Sequence, residues 1–100
     1  MITSTPIPKP SDFIRKGWCQ DAHALTYHRR FCDANDSLAR CWDILGALGA
    51  ARARGCEVPL NTVSRLTDLL PGHCNSLTLW NDRASTTQQD VIRILEEVGL

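Results

Sequence analysis

The chain has 100 residues, of which 43% are hydrophobic and 22% charged, so it is sized and composed for one folded domain rather than a disordered segment. Eleven basic side chains balance eleven acidic ones, which removes the broad positive field that non-specific nucleic-acid binding needs. The balance is uneven: residues 1–54 carry eight Lys or Arg against five acids, and residues 55–100 carry three against six.

Met1 to Pro6 lacks a charged segment followed by an apolar run, so no signal peptide is expected. No stretch reaches the roughly eighteen apolar residues of a membrane span. The expected compartment is therefore the cytosol of whichever cell makes the chain, and no membrane partner is expected. Pro6, Pro8 and Pro10 make residues 1–10 an extended, Pro-rich leader, with a single helical domain over 11–100. Ser11 is a good N-cap, and Gly17 stops a short first helix. From Trp18 to Asn35 no period is sustained, which predicts an irregular, loop-rich segment with a short strand or helical turn near Ala22 to Tyr27.

The strongest predicted helix starts at Asn35-Asp36-Ser37. Leu38, Cys41, Trp42, Leu45 and Leu48 recur at three- and four-residue steps up to Gly55. Gly46 and Gly49 each cost this helix about 1 kcal/mol relative to alanine. That cost is offset where another backbone approaches, which places a tight crossing at Gly46-Ala47. Asn61 caps a helix with Val63, Leu66, Leu69 and Leu70, ended by Pro71-Gly72. Ser76 to Trp80 forms one or two helical turns. Ser85-Thr86-Thr87-Gln88 fits a capping box before the stripe Val91, Ile94, Leu95 and Val98, which ends at Gly99. The expected fold class is all-α: a single small domain of four or five short helices with a loop-rich N-terminal third.

All three tryptophans lie in short clusters, Gly17-Trp18-Cys19-Gln20, Cys41-Trp42 and Trp80-Asn81-Asp82. Together with Gly46, Ala47, Thr87, Val91 and Leu95 they resemble a family of small phage and bacterial proteins. That family shows a Gly-Trp-Cys-Gln start, a Trp/Cys segment running into Gly-Ala, and an Asn-Asp turn before an aliphatic helix. The resemblance implies a setting, a phage or mobile element, and no assigned reaction. It also implies a way of acting, by binding a host protein, with inhibition of a bacterial defence system of the anti-CRISPR kind as one form.

The chemistry-bearing residues give little support to catalysis. Cys19, His23, His28, Cys32, His73 and Cys74 contain zinc-ligating types, but without a paired Cys-x-x-Cys or His-x-x-x-His clamp, and no metal or other cofactor is expected. Cys19, beside Lys16 and near His23, is the best-placed thiol, yet no motif supplies an oxyanion site or an orienting acid, so no enzyme is expected. The tryptophans read as core aromatics, and Asn81-Asp82 as a turn. A helix-turn-helix could be drawn from residues 37–54 and 61–70, but its second helix holds one basic residue, Arg65, against Asp68. Nucleic acid is thus the less favoured partner, as a DNA-associated regulator. The remaining candidates for partner contact are Gln20, His23, His28, Arg29, Arg30, Arg52 and Arg54, arginines being suited to acidic protein surfaces. A second copy of the chain, in a homodimer, is an alternative partner.

Overall fold

The computed structural model describes residues 6–100, so the start of the leader, residues 1–5, and the reading of it as no signal peptide lie outside the described residues. The helices are α1 (Pro10–Lys16), α2 (Ile44–Ala53), α3 (Thr62–Asp68), α4 (Leu77–Asn81) and α5 (Gln88–Glu97). The strands are β1 (Ala24–Thr26) and β2 (Ala39–Trp42), paired antiparallel. The expected all-α class is corrected by this sheet: the fold is mixed, α-helices with one two-stranded sheet.

The correction falls on the segment read as the start of the central helix. Leu38, Cys41, Trp42 and Leu45 mimic a helical step, but only Leu45 is helical. Cys41 and Trp42 are adjacent and both buried because β2 lies between two clusters, Trp42 facing the main core and Cys41 a smaller one with Cys19 and Leu25. An adjacent buried pair is what a strand covered on both faces produces. The β1–β2 register places Ala24 opposite Trp42 and Leu25 opposite Cys41, and then slips, so the two-residue alternation is also broken by an irregularity. The helix begins only where Asp43, extended in backbone, caps α2 by accepting from the Gly46 N–H at 2.6 Å. The helix-turn-helix drawn from residues 37–54 has no first helix of that length.

Elsewhere the local signals operate as chemistry dictates. Pro10, rather than the residue after Ser11, opens α1: proline fits the first helical position, where its missing N–H is not needed. Ser11 is inside the helix, and its hydroxyl donates to the Leu100 carbonyl at 2.7 Å, tying the two ends of the described chain together. Ser76 caps α4 by accepting from the Leu79 N–H at 3.2 Å. Thr87 and Asp90 form a reciprocal capping box on α5. Asn61 precedes α3 without a side-chain cap.

The core is assembled by α1 packing on α2 and α5, with Trp42 and Trp80 filling the space between. Phe13 meets Trp42 edge to face at 5.0 Å between ring centroids. Val91, Ile92, Ile94 and Leu95 bury the stripe of α5. Among the described residues no helix is long and apolar enough to cross a membrane.

Candidate functional site

Asn81 organises the centre of the molecule. Its side chain is fully buried, and Oδ1 accepts from the Trp18 indole at 2.9 Å and from the Ile44 N–H at 3.1 Å. Its Nδ2 donates to the Cys19 carbonyl at 3.1 Å and to Asp82 Oδ1 at 3.0 Å. Two acceptor and two donor bonds exhaust the capacity of an amide. Gln20 adds to the same seam, donating to the Asn81 carbonyl at 3.0 Å and the Arg83 carbonyl at 2.8 Å. Asp82 accepts from the Asp21 N–H at 2.9 Å. The Gly-Trp-Cys-Gln and Trp-Asn-Asp clusters are thus two sides of one hydrogen-bonded joint that also holds the start of α2.

Beside this joint His23 reaches Asp43. The imidazole Nδ1 lies 3.0 Å from Asp43 Oδ2, which selects the tautomer that donates from Nδ1 and leaves Nε2 facing outward. The His23 side chain is 63% exposed and that of Asp43 only 2%. Burial pushes the Asp43 carboxyl above its ordinary range, against the opposing pull of the Gly46 N–H and of His23. The pair borders a cleft of 540 Å³ whose other walls include Asp21, Phe31, Cys32, Thr78 and Asp82. An imidazole oriented by a carboxylate can accept a hydrogen bond or a proton at Nε2. Burial raises the pKa of Cys19, and burial with Asp36 raises that of Cys32, so the surroundings activate neither thiol toward thiolate. Among the described residues no group of three or more His, Cys, Asp or Glu gathers to hold a metal.

Above the cleft the chain turns back in a tight hairpin. The Thr26 N–H donates to the Arg30 carbonyl at 2.9 Å, the Arg29 N–H donates to the Thr26 carbonyl at 2.9 Å, and Leu25 bridges to Phe31. Three residues, Tyr27, His28 and Arg29, make the loop, and Arg29 takes the left-handed conformation with φ 63° that a three-residue hairpin requires at its last position. Tyr27 and Phe31 are each 80% exposed, and His28 packs edge on to Tyr27 with 5.4 Å between ring centroids. Arg29 and Arg30 are exposed beside them.

The seven residues picked out from sequence therefore divide. His28, Arg29 and Arg30 form the tip, and His23 sits in the cleft below it. Gln20 spends its amide on the joint. Arg52 and Arg54 lie at the C-terminal end of α2, where Arg52 donates to the Val58 carbonyl at 3.3 Å and Arg54 covers the Phe13 ring at 5.4 Å. Sequence reasoning passed over Tyr27 and Phe31, the exposed aromatics of the tip. Their spacing, one on each side of a His-Arg-Arg run, was the available signal. It also passed over Asp43 and Asn81 as organising groups.

A second groove, of 520 Å³, runs between the end of α3 and α5 over Trp80 and Ile94. Its charged walls, Arg83 and Arg93 against Asp90 and Glu97, cancel.

A model described only as a family of unknown function matches residues 12–99 of the chain. No curated protein and no solved structure matches it.

Proposed function

The chain belongs to the DUF6197 family, a family of unknown function, and from that premise we propose that it acts without catalysis, by binding another protein through the hairpin tip Tyr27–Phe31. The observation that carries this reading is the exposure of two large aromatic rings on either side of a His-Arg-Arg run at the tip of one hairpin. Tyr and Arg are the residue types that dominate binding energy at protein interfaces. The tip is also held at a conformational cost. A left-handed residue is most easily glycine, and an arginine there costs about 1 kcal/mol. An arginine kept against that preference supports a role for its side chain outside the fold.

The partner that fits is a protein surface with an apolar pocket for a ring and carboxylates for Arg29 and Arg30. The cleft beneath, with the outward Nε2 of His23, borders the same face and extends the contact. The setting, a phage or mobile element acting on a host protein such as a component of a defence complex, rests on the sequence resemblance.

The test is photo-crosslinking from position 27 in host cells, set beside crosslinking from position 97 in α5. A stoichiometric adduct from the tip alone is expected. Tyr27→Ser with Phe31→Ser, or Arg29→Glu, should lower capture of that partner at least about tenfold while the fold remains intact. Arg29→Gly should stabilise the protein by about 0.5–1 kcal/mol and still weaken capture. Undiminished capture by all of these variants would sink the reading.

A further inference from the structure

The thiols of Cys19 and Cys41 are used by neither the joint nor the tip, yet both residues are buried and pack with Leu25 in the small cluster apart from the main core. Backbone pairing brings their segments together: the Trp42 N–H donates to the Gly17 carbonyl at 3.0 Å, and the Cys19 N–H donates to the Trp42 carbonyl at 3.2 Å. Trp18 and Trp42 are the paired residues of this parallel bridge. Side chains alternate along extended chain, so positions 17, 19 and 41 fall on the face opposite the two tryptophans. Gly17 makes room there, since a Cβ at position 17 would stand 3.0 Å from that of Cys41. The Cys19 thiol donates to the Ala22 carbonyl at 3.6 Å and has the Cys41 thiol as its neighbour.

We infer that Cys19 and Cys41 form a reversible disulfide, closing a ring that runs through β1 and the hairpin tip. A buried dithiol has two evident uses, and the surroundings separate them. A soft cation such as Cu(I) would hold both sulfurs as thiolates and leave net negative charge in an apolar cluster near Asp43. A disulfide leaves no charge. The oxidant is a low-molecular-weight disulfide. Opening of the bend around Asp21, a non-glycine residue at φ 66°, exposes Cys19. Its thiol loses a proton, and the thiolate attacks one sulfur of the oxidant and releases one small thiol. The Cys41 thiolate then displaces the second small thiol from the mixed disulfide. The protein gives up two electrons and two protons, and the oxidant takes up both to become two thiols. The bond itself does not depend on the binding reading; only its consequence does, which is a docking hairpin fixed at its base.

The full chain is treated with excess oxidised glutathione in native buffer, the remaining thiols are alkylated, and tryptic peptides are mapped. Cleavage after Lys16, Arg29, Arg40 and Arg52 puts Cys19 and Cys41 on separate peptides that only a disulfide joins. The expected result is the joined pair 17–29 with 41–52, together with a thermal midpoint raised by ~5 °C or more and restored by dithiothreitol. Cys32→Ser should leave both effects unchanged, and Cys41→Ser should abolish both. Should Cys41→Ser fail to fold, the wild-type peptide map decides alone. Glutathione adducts without the joined pair, a bond to Cys32 in its place, or joining only in denaturant would overturn the inference. None of these measurements involves the partner, so failure here and failure of the binding reading are distinguishable.

Discussion

The joint around Asn81 and the hairpin tip at Tyr27–Phe31 meet at one cleft and are built on opposite terms. In the joint no buried side-chain polar atom lacks a partner: indole, amide, carbonyl and carboxylate close on one another across three stretches of chain, and Asn81 is wholly buried. In the tip the large side chains face outward, and one backbone position is held in a conformation its residue disfavours. Buried polar groups must be satisfied within the fold, which consumes their chemistry. Exposed aromatics are not consumed in that way, so they remain available to something else. The contrast teaches that the conspicuous Trp-Cys-Gln and Trp-Asn-Asp clusters belong to the scaffold, and that the inconspicuous residues after them are the ones free to act.

The strongest way to break this contrast is to remove the joint. Asn81→Leu keeps the volume of the side chain but leaves the Trp18 indole, the Ile44 N–H and the Cys19 carbonyl without partners in a buried place. The expected loss is roughly 3 kcal/mol or more of unfolding free energy, read from denaturant titration, and unfolding near room temperature would not be surprising for a domain of this size. A loss below about 1 kcal/mol would mean that the joint is ornamental and that scaffold and tip do not differ as described.

Residues of the joint lie between 37 and 63 positions apart in the chain, which explains why sequence reading found its pieces and not its assembly. Asn81 beside Asp82 looks like any helix-ending turn until Trp18 and Ile44 are brought to it. Local signals were legible because their causes are local: Ser76 and Thr87 each bond the amide three residues on, and the α5 stripe repeats with the helical period. The strand at Ala39–Trp42 was hidden for a physical reason. Its two faces enter different clusters, so burial follows neither a strand's alternation nor a helix's period for long enough to decide. The tip was half legible, since charge drew notice to Arg29 and Arg30, while the exposure of Tyr27 and Phe31 depends on where the hairpin projects.

The two glycines of α2 sharpen the contrast within a single helix. A Cβ at Gly46 would collide with the His23 carbonyl, which itself accepts from the Asp43 N–H at 3.2 Å, whereas a Cβ at Gly49 would meet nothing within 4 Å. The close approach expected at Gly46-Ala47 is thus made by the loop of His23 and not by another helix. Gly46→Ala should cost about 2 kcal/mol or more despite alanine's better helix propensity, because rigid backbone must move. Gly49→Ala should stabilise by about 0.5–1 kcal/mol. Equal effects at the two positions, measured by thermal or denaturant unfolding, would remove the cleft's wall from the list of tightly fixed features.

The smallest expected effect tests how the joint meets the cleft, at Asp43. Burial, with Asp82 nearby, raises this carboxyl's pKa in the folded protein, so the folded state holds the proton more tightly than the unfolded chain. Stability from this group is therefore fully present below the ordinary carboxylate value of about 4, falls as pH rises from there through the raised folded value, and is level above it. Asp43→Asn keeps an oxygen to cap α2 at Gly46 and removes the titration. The variant should stay within about 1 kcal/mol of the wild type at neutral pH. Its advantage over the wild type should grow across that window, since it no longer strips a buried acid of its proton. Unfolding free energies of both proteins, titrated from acid to neutral pH, supply the difference curve. Parallel curves would show that His23 and the Gly46 amide fully offset the burial of the charge. The cleft would then carry an ordinary carboxylate, and the joint would extend without a break to the foot of the tip.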